Sequence, residues 1–147
     1  MTELSENLFI GSYADACNEQ FLRERRITHI MGCGPEFQPP PIPEFQNDPT
    51  RWYQVRLVDS TRTPSTLTQL LLGASKLRDW LDAGHRVLVH CLRGDVRSTT
   101  VIMNYYILFR RYSFDQALRA VRSRRHIASP CPTCVHYLRD VSLSGPA

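Results

Sequence analysis

The stretch Arg86-Val-Leu-Val-His-Cys-Leu-Arg-Gly-Asp-Val-Arg-Ser-Thr-Thr100 decides the fold of this chain. It opens with an apolar run, Val87 to Val89, which has the length of a buried strand. Cys91 follows the end of that run, and a loop then leads to Arg97. A long apolar pattern of helical type begins at Ser98. The stretch therefore predicts a buried strand, a loop and a buried helix in direct succession.

The loop between Cys91 and Arg97 is suited to binding an oxyanion. Loop amides and the N-terminus of a helix point at a bound anion, and a planar guanidinium can hold two of its oxygens. The same positive field lowers the pKa of a cysteine and makes it a thiolate near neutral pH. The loop thus predicts an anion site that contains a nucleophile at Cys91. The alternative is a structural cysteine buried at a strand end.

Five residue types at fixed spacing give this stretch a known pattern. The pattern is His-Cys-x-x-Gly-x-x-Arg-Ser, formed by His90, Cys91, Gly94, Arg97 and Ser98. It resembles the signature of the cysteine-dependent protein tyrosine phosphatases, and the flanking sequence resembles their atypical dual-specificity branch. The resemblance extends from about residue 7 to about residue 140, apart from a proline-rich segment.

The resemblance implies hydrolysis of phosphate monoesters in two steps through a phosphocysteine. Cys91 would attack phosphorus, while Arg97 and the loop amides would stabilise the charge on the phosphate oxygens. Ser98 would hydrogen-bond the departing thiolate or cap the following helix, and both roles can hold. His90 would support the loop and tune Cys91, with a plain core histidine as the alternative. The phosphate-binding loop would comprise Leu92, Arg93, Gly94, Asp95, Val96 and Arg97.

The leaving alkoxide or phenoxide needs a proton, which a carboxylic acid on a neighbouring loop could supply. Asp59 follows a predicted strand, Trp52–Val58, and the resemblance implies a general acid at about this distance before the cysteine. Asp59 would then act as the base on water in the second step. The alternative is a turn or cap residue. Three other carboxylates are rivals for the role: Asp48, Asp79 and Asp82.

Two loop residues depart from the family pattern. Val96 stands where the family usually has serine, which removes a hydroxyl from the loop. Asp95 places a carboxylate beside the phosphate, and this charge would oppose a dianion unless it points outward or pairs with Arg93. Basic residues inside this loop, such as Arg93, occur in relatives that bind highly charged phosphoinositides. We favour an Arg93–Asp95 ion pair as the explanation of both residues.

Residues 32–50 contain six prolines, a density that predicts a long loop with polyproline-like pieces and excludes a helix or central strand. Long loops are usually functional or disordered. Three interpretations stay open for this segment. It could form a wall of the substrate cleft, it could be a surface insertion, or Pro39-Pro-Pro-Ile-Pro43 could attract a proline-binding domain.

Strands and helices alternate along the chain, which predicts an α/β fold. We expect a three-layer sandwich whose mostly parallel central sheet is flanked by helices, built as one domain over residues 1–147 with a loose tail at 142–147. The predicted strands are Asn7–Gly11, Ile27–Met31, Trp52–Val58 and Val87–Val89. The predicted helices are Ala14–Arg26, Ser65 or Thr66 to Asp82, Ser98–Arg110, Phe114–Arg125 with Ser113 as its cap, and Thr133–Val141.

Composition limits the environment of the chain. Apolar residues make up 42% and charged residues 22%, as in ordinary globular proteins, and no apolar run is long enough to span a membrane. The N-terminus is polar and is not expected to be a signal peptide. Five cysteines, an odd number, are expected to be reduced thiols in the cytoplasm, with the nucleus as a second possibility. Cys131 and Cys134 resemble a metal or redox pair, but structural thiols are the simpler interpretation.

The resemblance implies a phosphatase that needs no metal or other cofactor. Its partner would be a phosphorylated protein. The enzyme would hydrolyse phosphotyrosine and also phosphoserine or phosphothreonine in that protein. The net charge of +4 suits an anionic ligand but is too small to argue for nucleic acid, and the sequence leaves the oligomeric state open. The alternatives are a phosphoinositide or RNA 5′-phosphatase on the same fold, or a phospho-binding module with weak catalysis.

Overall fold

The computed structural model describes residues 1–58 and 64–143. Its strands are β1 (Thr2–Ser5), β2 (Leu8–Gly11), β3 (His29–Cys33), β4 (Trp52–Val55) and β5 (Val87–His90). They form one sheet in the order β1-β2-β5-β3-β4, in which only β1 pairs antiparallel to its neighbour. The predicted α/β sandwich with a mostly parallel sheet is confirmed. The edge strand β1 was missing from the prediction, because its mixed polar sequence has no strand pattern.

Helices cover both faces of this sheet. They are α1 (Tyr13–Ala16), α2 (Glu19–Glu24), α3 (Pro43–Gln46), α4 (Pro64–Asp82), α5 (Arg97–Arg110), α6 (Phe114–Arg122) and α7 (Val135–Leu143). Short 3-10 turns lie at Pro49–Arg51 and Pro132–Cys134. Among the described residues, no helix is both long and apolar enough to cross a membrane.

The central strand β5 contributes to the core on both faces of the sheet. Val87 and Val89 belong to the larger apolar cluster, beneath α4 and α5, whereas Leu88 belongs to the smaller cluster on the opposite face. Successive side chains of a strand point to opposite faces, so a strand covered on both sides must be apolar throughout. This burial explains why the sequence of β5 is a continuous apolar run rather than an alternating one.

The predicted helix Ala14–Arg26 is wrong, because the structure divides it into α1 and α2. The break lies at Cys17 and Asn18, and the Asn18 side chain accepts a hydrogen bond from the amide of Phe21. Asparagine at this position satisfies a free amide of the following turn and so favours a new helix start.

The proline-rich segment is also more ordered than predicted. Its first residues belong to β3, and it contains the short helix α3. Pro43 occupies the first turn of α3, where a missing amide hydrogen costs no helical hydrogen bond. Phe37, Ile42 and Phe45 are buried, so the segment packs against the domain through apolar anchors between its prolines.

Several element boundaries differ from the predictions. The strand expected over Trp52–Val58 ends at Val55, and α6 ends at Arg122 rather than Arg125. The long helix α4 begins at Pro64, so Ser65 and Thr66 lie inside its first turn and do not cap it. Ser113 does cap α6 through a capping box. The expected loose tail begins too early, since α7 continues to Leu143, and residues 144–147 lie outside the described residues.

The sheet brings three chain segments together at one edge. Gly11 of β2 and Gly32 of β3 both lie in register with His90, the last residue of β5. Cys91 follows immediately, so it lies at the carboxyl edge of parallel strands. This edge is where open α/β sheets form their ligand crevice.

Leu88 provides a test of the smaller cluster. It is fully buried, so we expect Leu88→Ala to lower the free energy of unfolding by about 2–5 kcal/mol through lost burial and a residual cavity. Urea denaturation monitored by circular dichroism measures this change. The matched control is Leu71→Ala on α4, where the side chain is 48% exposed and about 0.5 kcal/mol or less is expected. Equal losses for the two variants would contradict the two-cluster arrangement.

Candidate active site

The loop between β5 and α5 surrounds a small cavity of about 110 Å³. Cys91 lies at the start of this loop and Arg97 is the first residue of α5. Both side chains are mostly buried, with 2% and 8% of their residues' surface exposed. The cavity is lined by Cys91, Leu92, Arg93, Asp95, Val96 and Arg97. A thiol and a guanidinium therefore face one space about the size of a small anion.

Hydrogen bonds to the sulfur of Cys91 favour its ionised form. Ser98 Oγ lies 3.2 Å from Cys91 Sγ, and the amide of Gly94 donates to the same sulfur over 3.3 Å. Burial raises the pKa of the Cys91 thiol, but the Ser98 hydroxyl and the amides of Ser98, Gly94 and Val96 outweigh burial and lower that pKa. Hydrogen bonds to a charged form stabilise it, so the thiolate becomes accessible at lower pH.

Outside contacts hold the carbonyl groups on the outer side of the loop. The carbonyl of Leu92 accepts from the amide of Tyr13 over 3.1 Å, and that of Asp95 accepts from the amide of Ser129 over 2.7 Å. Because these carbonyls point outward, the peptide amides are free to turn toward the cavity. Such a run of inward amides forms an anion-binding nest.

Arg125 supports the same loop from behind. Its Nε donates to the carbonyl of Gly94 over 2.8 Å, and its Nη2 donates to the carbonyl of Arg93 over 3.0 Å. Its Nη1 reaches Thr2 Oγ1 on β1 over 2.7 Å. Arg125 therefore links the loop to the edge of the sheet. Its guanidinium binds backbone carbonyls of the loop rather than a charged partner on the surface.

Gly94 meets a steric requirement of the loop. Its φ is +74°, and a Cβ atom there would lie 2.5 Å from the carbonyl oxygen of Gly11. The left-handed conformation and the contact with backbone both exclude larger residues. The close approach lets the loop rest on the end of β2.

Arg97 is bound on one side by the proline-rich segment. Its Nη1 donates to Glu36 Oε1 over 2.8 Å, and its guanidinium carbon lies 5.3 Å from the centroid of the Phe37 ring. The hydrogen bond from Arg97 lowers the pKa of the Glu36 carboxyl, so Glu36 is ionised at neutral pH. The segment therefore packs against Arg97 from outside the cavity, and none of its described residues lines the cavity itself.

His90 is a buried, neutral imidazole. Its Nδ1 lies 3.4 Å from the carbonyl oxygen of Cys91, and its ring packs edge-on against Phe37 at a centroid distance of 4.8 Å. Burial lowers the pKa of His90 to about 4. A Cβ on Gly32 would come within 3.2 Å of Nε2, so the ring fits closely against β3. These contacts bury the His90 ring between Phe37 and β3, next to the start of the loop.

Two expectations about the loop can be compared with the contacts. The predicted ion pair is present, since Arg93 Nε lies 3.5 Å from Asp95 Oδ2. The proposed capping role of Ser98 is wrong, because α5 begins at Arg97 and its cap residue is Val96, without a side-chain bond. The Ser98 hydroxyl is directed to Cys91 instead.

Asp59, the expected general acid, lies outside the described residues. Two of its rivals have structural contacts. Asp48 caps the turn before β4 and accepts hydrogen bonds from Thr50 and Arg51, and Asp79 pairs with Arg78 on the surface of α4. Neither contact directs a carboxylate to the cavity at Cys91.

Comparisons with known proteins agree with this site. The catalytic-domain model of the dual specificity phosphatases matches residues 8–142. The chain is 32% identical to dual specificity protein phosphatase 1B of Arabidopsis thaliana, covering 98% of this chain and 83% of that protein. It is 30% identical to dual specificity protein phosphatase 1 of the same plant, covering 96% and 68%. The chain belongs to the dual specificity phosphatase family.

The family assignment identifies the chain as a protein-tyrosine/dual-specificity phosphatase, an enzyme that acts on phosphorylated substrates. The crystal structure of human DUSP28 has the same fold, with a TM-score of 0.85 at 23% identity, covering 98% of this chain and 96% of that one. The crystal structure of DUSP15 matches with a TM-score of 0.83 at 23% identity, covering 97% and 86%.

The remaining cysteine pair belongs to the core. Cys131 and Cys134 are each 1% exposed, and the amide of Cys131 donates a hydrogen bond to Thr100 Oγ1 over 2.8 Å. Within residues 1–58 and 64–143, no three histidines, cysteines or carboxylates are grouped to hold a metal. The contacts therefore favour the structural interpretation of these thiols.

Sequence reasoning missed two contributors to the site. Nothing in the local pattern distinguishes Glu36 from any other carboxylate in a loop, and its contact with Arg97 spans 61 positions. Arg125 enters the sequence analysis only as the last residue of a predicted helix, without a contact.

Ser98 provides a test of the thiolate. Because its hydroxyl lowers the pKa of Cys91, Ser98→Ala should raise that pKa and move the pH midpoint of iodoacetate alkylation upward. Mass spectrometry of Cys91 alkylation between pH 4 and 9 measures the midpoint. Ser123→Ala, on the exposed end of α6, is the control and should leave the midpoint unchanged. A midpoint that stays the same in Ser98→Ala would contradict the proposed hydrogen bond.

Proposed function

We propose that this phosphatase hydrolyses phosphotyrosine, and also phosphoserine and phosphothreonine, through a phosphocysteine at Cys91. The observation that carries the proposal is the shared cavity of Cys91 and Arg97, in which the sulfur accepts hydrogen bonds that lower its pKa. The lowered pKa of Cys91 makes its thiolate available as the nucleophile. The guanidinium and the loop amides complement the negative charge of phosphate.

In the first step, the Cys91 thiolate attacks phosphorus and the bond to the leaving oxygen breaks. Negative charge spreads over the equatorial oxygens, and inward loop amides and Arg97 stabilise it. The fixed outer carbonyls mean that the amides need little reorganisation during this step. This preorganisation is supported by the contacts of Arg125, Tyr13 and Ser129 with the loop.

The leaving oxygen receives a proton from Asp59 in this proposal. The assignment rests on the position of Asp59 in the sequence, after β4 and before α4. Strand β4 is parallel to β3 and β5, so its carboxyl end lies at the edge that carries Cys91. His90 is unsuited to the role, because its imidazole is neutral and buried at neutral pH.

In the second step, Asp59 removes a proton from water, and the water attacks phosphorus and displaces the Cys91 thiolate. The hydrogen bond from Ser98 stabilises the sulfur as it becomes an anion again. Inorganic phosphate is released and the resting thiolate is restored. No cofactor is required by this balance of atoms and charges.

The rim of the cavity supports an aromatic substrate. Leu92 is 59% exposed at the loop, and the backbone amide of Tyr13, an aromatic residue that is 39% exposed, donates a hydrogen bond to the Leu92 carbonyl. Tyr13 also stacks on Phe37 at a centroid distance of 5.5 Å. An apolar rim offers contact area to the phenyl ring of phosphotyrosine, which short phosphoserine lacks.

The charge of the loop argues against a phosphoinositide substrate. Asp95 partly neutralises Arg93, the exposed basic residue inside the loop, whereas a headgroup with several phosphates would need unpaired cations. The crystal structure of PTPMT1 in complex with PI(5)P shares the fold at 19% identity, so the fold itself accepts such ligands in another protein. The rate of phosphate release from phosphoinositides and from 5′-phosphorylated RNA should therefore be compared with the rate on phosphopeptides.

Cys91→Ser should abolish hydrolysis of p-nitrophenyl phosphate, with a loss of at least about a thousandfold, because the hydroxyl is a far weaker nucleophile. The wild-type enzyme should be inhibited by vanadate. Steady-state release of p-nitrophenolate measures both effects. Cys17→Ser, at a half-buried cysteine of the same chain, is the matched control and should retain activity. Equal rates for wild type and Cys91→Ser would overturn the phosphocysteine proposal.

Asp59→Asn should lose most activity on substrates with poor leaving groups. We expect a loss of about a hundredfold or more on phenyl phosphate or a phosphotyrosine peptide, and a much smaller loss on substrates whose leaving group needs no proton. A plot of kcat/KM against leaving-group pKa measures the difference. Asp48→Asn, whose carboxylate caps a turn, is the control. A uniform loss on every substrate would remove Asp59 from the role of general acid.

A further inference from the structure

The contact between Glu36 and Arg97 joins two distant parts of the chain. The Arg97 side chain is only 10% exposed, and its Nη1 donates to Glu36 Oε1 over 2.8 Å. Glu36 itself is half exposed, at the surface end of the pair. The contact is therefore a charge-assisted hydrogen bond from a largely buried guanidinium. Such bonds are stronger than hydrogen bonds between neutral groups.

The backbone around Glu36 is held in place by the neighbouring strand. The side-chain amide of Gln54, on β4, donates to the carbonyls of Gly34, Pro35 and Phe37 over 3.3, 3.0 and 2.9 Å. Gln54 Oε1 in turn accepts from Arg56 Nη1 over 3.1 Å. One side chain thus clamps the segment that carries Glu36 to the edge strand of the sheet.

Close packing fixes the approach of the two charged groups. A Cβ atom on Gly34 would collide with both Glu36 Oε1 and Arg97 Nη1, so glycine makes room for the pair. Phe37 is 3% exposed and lies between His90 and the guanidinium. The segment is consequently shaped to deliver one carboxylate to one face of Arg97.

The position of Glu36 relative to the cavity shows whether its carboxylate supports Arg97 or obstructs the binding of an anion. Arg97 lines the cavity together with Cys91, whereas Glu36 is not among the residues that line it. A bidentate grip on phosphate needs two of the five guanidinium N–H groups, so a bond at Nη1 is compatible with it. Glu36 approaches from outside the cavity and can remain in place when an anion enters.

We infer that Glu36 is a positioning residue, whose carboxylate holds the Arg97 guanidinium in the orientation that binds the transferred phosphoryl group. This inference rests on the proposed function of Cys91 and Arg97 and adds a residue from the proline-rich segment to it. The segment thereby acts on catalysis through Arg97, without contact to the phosphate. Orientation matters because a misplaced catalytic group forfeits much of its transition-state stabilisation.

Glu36→Ala should lower kcat/KM by about 10- to 100-fold, the equivalent of one hydrogen bond to a charged group. The loss should fall mainly on kcat, because Arg97 stabilises charge that develops in the transition state. Glu36→Gln keeps an oxygen that accepts from Arg97, so it should regain most of the activity. Steady-state kinetics on p-nitrophenyl phosphate measure the three proteins, and melting temperatures show whether each variant is folded.

Glu44→Ala is the matched control within the same segment. Glu44 pairs with the exposed Arg23 over 3.0 Å, on the far side of the segment, so its removal should change kcat/KM by less than about twofold. In an Arg97→Met background, Glu36→Ala should cause no additional loss. Additive losses in that double variant, or an equal loss in Glu44→Ala, would overturn the positioning role.

A binding measurement separates this inference from the proposed chemistry. Isothermal titration with tungstate, which needs no turnover, should show weaker binding to Glu36→Ala than to wild type and partial recovery in Glu36→Gln. Tighter or unchanged tungstate binding in Glu36→Ala would overturn the inference, because it would show that the carboxylate obstructs the site or does not influence it. Failure of the phosphocysteine would appear separately, as activity that survives Cys91→Ser.

Discussion

The site depends on hydrogen bonds that fix the backbone carbonyls of the loop between Cys91 and Arg97. Four successive residues, from Leu92 to Asp95, have their carbonyl groups bound from outside by Tyr13, Arg125 and Ser129. A peptide whose carbonyl is held outward presents its amide on the opposite side, so these bonds create an inward-facing nest. Tyr13 is the first residue of α1, whereas Arg125 and Ser129 lie in the segment between α6 and the 3-10 turn at Pro132–Cys134.

Opposing effects act on the pKa of Cys91 within this nest. Burial alone would raise the pKa of the thiol and make it inert. The hydroxyl of Ser98 and nearby amides outweigh that effect, so the pKa of Cys91 lies below its ordinary value although the residue is only 2% exposed. The Cys91 thiol in this small cavity is thus shielded from solvent and still easier to ionise than an ordinary thiol. Arg97 adds a positive charge to the lining of the cavity.

Local patterns predicted much of the architecture and the centre of the site. The apolar run of β5, the spacing from Cys91 to Arg97 and the capping serine of α6 are short-range features, and the structure contains all three elements. Predictions failed where tertiary contacts override local preference. The apolar anchors Ile42 and Phe45 order a segment whose prolines indicated a loop, and Asn18 begins a second helix inside a continuous amphipathic pattern.

The amino-acid sequence alone determined the order of strand, loop and helix around Cys91, because strand burial, the glycine requirement and helix formation depend on neighbouring residues. It also carried the pattern that relates the chain to dual specificity phosphatases. Only the tertiary structure decided which distant groups complete the site. Glu36 reaches Arg97 across 61 positions and Arg125 reaches Gly94 across 31, and no local pattern encodes such pairs. Glu36 lies near Arg97 because parallel strands bring their carboxyl ends, and the loops that follow them, to a single edge, whereas Arg125 reaches the loop from the turn after α6.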